Sequence, residues 1–213
     1  MIELDENHIY RVDGLVVPGV SEILSTGGLV DLWGIPPFSL EAAKKLGTAV
    51  HFTCQHYDTG RLREQTVDMG IRPYLDAYIK FKREHCVEVI ENEKSYYSAK
   101  WGFCGTLDRV FAIKGKIILC DLKTTTTMHP ARDVQSAGYK LLYQETSGQK
   151  INQRWALQLL PGQYKVWPAK NSFDESVFIS ALQVYKWRKN NGCLKEKEME
   201  REVFGGEIFK EGV

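Results

Sequence analysis

Asp108, Asp121 and Lys123 form a closely spaced set of two carboxylates and an ammonium, the makings of a hydrolytic centre. Gly105-Thr106-Leu107-Asp108 runs through Val110, Phe111, Ala112 and Ile113 into Lys114-Gly115. The chain returns through Ile117, Ile118, Leu119 and Cys120 to Asp121-Leu122-Lys123-Thr124. A two-residue loop at Lys114-Gly115 sets Ile113 opposite Lys116 and carries the pairing back to Asp108 opposite Asp121. Directly opposed residues have β-carbons about 4.5–5.5 Å apart, where like charges are destabilising. Two carboxylates that close call for a cation between them, and Lys123 adds a positive group beside them.

Parity carries the same reading further. Side chains alternate along a strand, so Asp108, Val110 and Ala112 share a face with Ile117, Leu119, Asp121 and Lys123. The opposite face carries Leu107, Phe111, Ile118 and Leu122, so both faces of the hairpin are expected to be buried. A charged cluster at the end of a buried face needs pairing or a metal. The competing reading is an ordinary Asp–Lys ion pair at a strand end. The register is conditional, since an odd-length loop would move Asp108 off the shared face.

Carboxylates are hard oxygen ligands suited to Mg²⁺ or Mn²⁺. An ion held by Asp108 and Asp121 polarises a phosphoryl oxygen and lowers the pKa of bound water. Lys123 is placed to orient or deprotonate that water, or to stabilise developing negative charge. A phosphodiester is the substrate class that fits best.

The flanking sequence predicts the helices and strands that hold these residues. Asp13-Gly14 predicts a hairpin over His8 to Val17, and Ser21 predicts a brief helix through Leu24. Gly27-Gly28 and Pro36-Pro37 bracket a connector containing Trp33. A helix opens at Ser39 and stops just before Gly60, with its apolar stripe on Ala42, Leu46, Ala49, Val50, Thr53 and Tyr57. Further helices are expected from Ile71 to His85, from Pro130 to Thr146 and from Glu175 to Asn190. Strands are expected over Val87 to Tyr97, the hairpin from Trp101 to Thr124, Arg154 to Leu160 and Tyr164 to Trp167. That order predicts one α/β domain over residues 1–213, a mixed β-sheet flanked by α-helices. Within it, 1–38 form the N-terminal hairpin and connector, 39–192 the core, and 193–213 a charged C-terminal tail.

Composition is neutral on partners: 28 Lys plus Arg against 27 Asp plus Glu leave a net charge of +1, so any basic groove is local. Five cysteines with no CxxC pair read as reduced thiols in a soluble, cytoplasmic protein. The Met1 to Glu6 start lacks signal-peptide character, and no apolar run spans a bilayer, so no membrane partner is expected.

Two further constellations lie outside the hairpin. Gly47 stands one turn before His51 on the Ser39 helix, where a glycine costs about 1 kcal/mol relative to alanine; clearing space beside the imidazole is a reason to keep it. Gln135 and Tyr139 are four apart on the helix after the aspartates and share its face.

Taken in order, Gly47 to His51, Gly105 to Asp108, Asp121-Leu122-Lys123 and Gln135 to Tyr139 resemble the PD-(D/E)xK nuclease superfamily in its RecB-type and phage-exonuclease branch. That family carries GxxxH, GxxD, (D/E)xK and QxxxY in this sequence order. Tyr10 to Gly14 and Val17 to Leu24 are also similar to the start of many phage-borne members. The resemblance covers roughly Tyr10 to Tyr143 and implies a restriction-endonuclease-like core. It implies that His51, Asp108, Asp121 and the Leu122 backbone carbonyl bind Mg²⁺ or Mn²⁺, that Lys123 is catalytic, and that Gln135 with Tyr139 positions DNA. Some relatives hold an iron–sulfur cluster on three late cysteines. Cys193 is the only late cysteine here, so no such cluster is expected.

The activity expected is a metal-dependent DNA exonuclease of recombination or end processing. The alternatives are an endonuclease of the same superfamily or a non-catalytic nucleic-acid-binding module. DNA is the partner, with a homo-oligomer or a recombination partner protein beside it. Thr124 and the run to Thr127 can offer hydroxyls to substrate. Lys44, Lys45, Lys100, Arg109 and Arg132 flank the motifs and can meet phosphates, with Trp101 available for stacking.

Overall fold

Two left-handed residue pairs fix the hairpins that organise the molecule. In the computed structural model, which describes residues 1–5, 8–30 and 36–194, Asp13 and Gly14 have φ of 51° and 81°, and Lys114 and Gly115 have 50° and 74°. Paired positive φ values match the right-handed twist of the strands they join. The first turn links β2 (Tyr10–Val12) to β3 (Leu15–Val17), and β1 (Ile2–Leu4), which sequence reasoning missed, adds to β2 as a third antiparallel strand. The second turn joins β5 (Phe103–Ile113) to β6 (Lys116–Lys123).

The main sheet has the order β4-β5-β6-β7-β8, with β4 at Glu88–Ser98, β7 at Gln153–Leu160 and β8 at Gln163–Pro168. Only β6 and β7 run parallel. A parallel pair needs a crossover, and α4 (Ala131–Ser147) supplies it. The remaining helices are α1 (Val20–Thr26), α2 (Pro37–Asp58), α3 (Arg72–His85) and α5 (Asp174–Asn190), with a short 3-10 turn at Glu64–Thr66. The fold is thus a mixed α/β sheet flanked by helices.

Each sheet face has its own core. On one face α1, α4 and α5 bury Ile23, Leu142, Phe178 and Tyr185 against Phe103, Leu107, Val110 and Leu119. On the other, α2 and α3 bury Val50, Cys54, Tyr78 and Phe81 against Phe111, Ile118, Cys120 and Leu122. Both faces of the β5–β6 hairpin are buried, as its sequence demands.

Leu107 corrects the parity expectation. It packs with Val110, not with Phe111, although an unbroken strand would set 107 and 110 on opposite faces. The strand therefore changes face at Asp108. Across from it on β4, Glu93 has φ of 47°, and two residues earlier the β4–β5 register shifts between Val89 and Glu91, opposite Phe111 and Val110. Bulges of this kind re-aim side chains next to functional sites.

The Trp33 connector overlaps residues 31–35, and the charged tail falls at 195–213; both lie largely outside the described residues. No helix among the described residues is long and apolar enough to cross a membrane.

Candidate metal centre

The β5–β6 ladder runs from Ile113↔Lys116 to Arg109↔Cys120 and stops one step short of the two aspartates. The register is the expected one, and the strands part where the carboxylates begin. Asp108 replaces the missing ladder bond with its side chain: Oδ2 accepts the Leu122 backbone N–H at 2.7 Å. Beyond this point the free edge of β5 takes Pro18–Gly19 instead, with the Cys104 N–H donating to the Pro18 carbonyl at 2.9 Å.

Helix α2 brings His51 into the gap. Its Nε2 lies 3.1 Å from the Leu122 carbonyl, and its Nδ1 lies 3.3 Å from Glu93 Oε1 and 3.7 Å from Asp108 Oδ1. Adjacent ligands of an octahedral ion at about 2.1 Å stand about 3.0 Å apart, close to the spacing between His51 Nε2 and the Leu122 oxygen. Ligand atoms of His51, Glu93 and Asp108 all lie within 4.8 Å of one another, a spacing able to hold an ion. Asp121 is not in that group. Burial opposes a charge on His51, yet Asp108, Glu93 and Asp121 outweigh it and push the imidazole up to about 9. Without an ion the ring is an imidazolium donating to Leu122 and Glu93.

Glu93 was not foreseen. It sits where β4 pairs Asn92 with Arg109 and Lys94 with Leu107, directly across from Asp108. Burial would raise its pKa, but His51 and Arg109 outweigh that and lower it. Nothing local in Glu91-Asn92-Glu93-Lys94 marks one carboxylate as special. Its position comes from a positive φ and from partners far away in sequence.

Arg109 braces Glu93 and overturns the phosphate-contact expectation for this residue. Its guanidinium is fully buried, donating to Glu93 Oε1 at 2.9 Å, Asp58 Oδ2 at 2.8 Å and the Asp108 carbonyl at 2.6 Å. Asp58 also accepts from Tyr78 at 2.7 Å and Lys82 at 2.5 Å. The chain Asp58–Arg109–Glu93–His51 thus runs from the α2–α3 core to the imidazole.

Asp121 and Lys123 form the other half of the centre. Lys123 Nζ donates to Asp121 Oδ1 at 3.2 Å and to Gln135 Oε1 at 3.1 Å. It also stands 2.9 Å from Asp121 Oδ2, but without hydrogen-bond geometry, so that buried oxygen has no donor. Burial raises the Asp121 pKa, Lys123 pulls it down, and Asp108 adds to the rise. For Lys123, burial is outweighed by Asp121 and Asp108, and its pKa is raised. An orphaned, desolvated carboxylate oxygen beside a second carboxylate is what a divalent cation would satisfy. Together with a peptide carbonyl and an imidazole, the donor set fits Mg²⁺ or Mn²⁺.

Gln135 and Tyr139 reach the centre from α4. Gln135 Nε2 lies 3.3 Å from the Tyr139 hydroxyl while its oxygen holds Lys123. Gly105 makes room for Tyr139: a β-carbon there would stand 2.8 Å from the tyrosine ring and 2.9 Å from Leu142. Gly47 is different. A β-carbon on it would meet only Thr124 Oγ1, at an ordinary 3.6 Å, so clearance for the imidazole does not explain it.

Arg132 stands apart from the centre. Its guanidinium lies 5.4 Å from the Trp167 ring centroid, and its Nε lies 3.3 Å from Asp133. Lys45 pairs with Glu41, and Lys100 lies over Trp101, which packs against the α4-side core. Gln158, also unforeseen, is Lys123's neighbour on β7 and donates to the Thr125 and Thr126 carbonyls at 2.7 and 3.0 Å. It fixes the loop leaving β6.

No family model and no curated protein matches this chain. Among solved structures, the protein of "Crystal structure of SSO0001" is similar over 56% of this chain and 59% of its own, with 14% identity and a TM-score of 0.35. A likeness of that degree carries no argument about fold or activity.

Proposed function

We propose that this protein is a Mg²⁺- or Mn²⁺-dependent deoxyribonuclease of the PD-(D/E)xK type with a restriction-endonuclease-like core, acting as an exonuclease in DNA recombination or end processing. The observation that carries the reading is the buried Asp121 oxygen left without a donor, beside Asp108 and the Lys123 ammonium. His51, Asp108, Asp121 and the Leu122 carbonyl would hold the ion. When bound, the ion supplies Lewis acidity toward a phosphoryl oxygen and a more acidic water.

The chain's own groups do the rest. Asp108 keeps its Oδ2 on the Leu122 N–H, which orients the adjoining carbonyl and leaves Oδ1 facing His51. Glu93 accepts from His51 Nδ1 and fixes the ring, the role that a second carboxylate plays behind many metal-bound histidines. Lys123, held protonated by its neighbours, presents an ammonium that stabilises negative charge developing on the phosphate. Gln135 steadies that ammonium, and Tyr139 keeps its hydroxyl proton because burial near Asp121 and Asp108 raises its pKa.

The test is digestion of end-labelled linear DNA beside a covalently closed circle, with Mn²⁺ or Mg²⁺ and with EDTA. Metal-dependent loss of the linear form alone is expected. Cutting of the circle would identify an endonuclease. Binding without cutting would make the chain an inert nucleic-acid module.

A further inference from the structure

A cleft of about 650 Å³ opens beside Asp108, within the volume range of small-molecule sites. Its walls come from three places: Ile9 and Tyr10 of the N-terminal sheet and its approach, Val20 of α1, and Thr48, Phe52 and Gln55 of α2. His51, Glu93 and Asp108 close one end. Among the described residues no lysine or arginine lines it, whereas Glu22, Glu93 and Asp108 do.

That charge pattern rejects a run of phosphates. A duplex brings two phosphate chains, whose affinity is built on lysine and arginine contacts. Among the described residues the basic side chains lining the cleft are the imidazoles of His8 and His51, while Lys44 and Lys45 lie in the adjoining groove on the far side of Thr48 and Phe52. The remaining wall suits a flat, uncharged group with hydrogen-bonding edges.

Phe52 is the surface such a group would use. It follows His51 directly, lies on the cleft wall and is 59% exposed, unlike the buried aromatics of the two cores. The His56 ring lies behind it, with centroids 4.0 Å apart and planes inclined at 36°. Thr48 and Gln55 supply polar groups one turn to either side.

We infer that the cleft takes the base of an unpaired terminal nucleotide, stacked on Phe52 while its phosphate lies at the His51–Asp108 end, so that the substrate is a single-stranded or frayed DNA end. This rests on the nuclease reading and adds a substrate class to it. A paired base inside a duplex has both faces covered, and only an unpaired or end base offers one to Phe52. Base-on-aromatic stacking contributes about 1–3 kcal/mol per base, which corresponds to roughly a 5- to 150-fold change in affinity.

The experiment uses the full chain with Ca²⁺ and single-stranded oligonucleotides carrying 2-aminopurine at the 5′ end, at the 3′ end or internally. Fluorescence quenching at one terminus and not internally is expected. Phe52→Ala should remove that quenching and weaken binding by roughly 10- to 100-fold, and Phe52→Tyr should restore both. Equal quenching at every position, wild-type affinity in Phe52→Ala, or tighter binding of a blunt duplex than of the single strand would each overturn the inference. Digestion of linear DNA with Mg²⁺, run in parallel, separates the two readings. Wild-type digestion together with any of those results removes the nucleotide cleft and leaves the nuclease standing. Absence of both binding and digestion removes both.

Discussion

Arg109 and Glu93 meet across 2.9 Å at the floor of the site, one fully buried and the other reaching toward His51. The guanidinium is shared with Asp58, so a single buried cation answers to two carboxylates. Removing one partner of such a set leaves an uncompensated buried charge, which costs about 3–5 kcal/mol. Arg109→Met is therefore expected to lose stability of that order in urea unfolding. Lys82→Met, which takes the more exposed of the two cations from Asp58, should lose clearly less. Equal losses would show that Arg109 is no keystone.

Glu93→Gln tests the brace behind the imidazole. Outer-shell carboxylates of metal-bound histidines typically contribute about 10- to 100-fold in metal affinity or activity. Mn²⁺ affinity measured by calorimetry should fall within that range, with the circular dichroism spectrum unchanged. Wild-type affinity would reduce Glu93 to a structural partner of Arg109.

His51 predicts a pH dependence for the metal-free protein. The group starts from about 6.5 in an unfolded chain and is pushed up to about 9 by Asp108, Glu93 and Asp121 against the opposing effect of burial. A raised folded-state value gives stability that is fully present below about pH 6.5 and lost as pH rises through about 9. Urea midpoints in EDTA should fall across that window, and His51→Gln should flatten the fall. Ion binding at pH 7.5 should also release about one proton, since a ligating imidazole is neutral; calorimetry in buffers of different ionisation enthalpy reads this directly.

Asp121→Asn separates stability from chemistry. Burial and Asp108 disfavour the Asp121 charge in the metal-free fold, so the amide should melt no lower than wild type in EDTA. On the proposed reading, wild type gains thermal stability with Mn²⁺ and cleaves DNA, and Asp121→Asn should do neither. Retained cleavage would remove Asp121 from the centre.

The sequence carried much of this architecture because its strongest signals are local. Lys114-Gly115 dictated the turn, and the turn dictated a register that holds from Ile113↔Lys116 to Arg109↔Cys120. The helices before and after the hairpin fall within a few residues of their periodic stripes. What stayed hidden depends on distant partners. Arg109 reads as a phosphate contact in a list of basic residues and becomes a core cation only because Asp58 is buried beneath it. Glu93 sits in a polar run of four with three charges and is singled out by a backbone kink no propensity encodes. β1 is three residues long and exists through pairing with β2, too short to announce itself.

The parting of β5 from β6 also bears on solubility. Over Phe103 to Asp108 one side of β5 has no β6 partner, and Pro18–Gly19 covers part of it. An uncovered strand edge recruits other chains. The Pro18–Gly19 segment therefore acts as a guard: removing the chain through Gly19 would bare that edge and invite self-association while leaving His51, Asp108, Asp121 and Lys123 in the sequence.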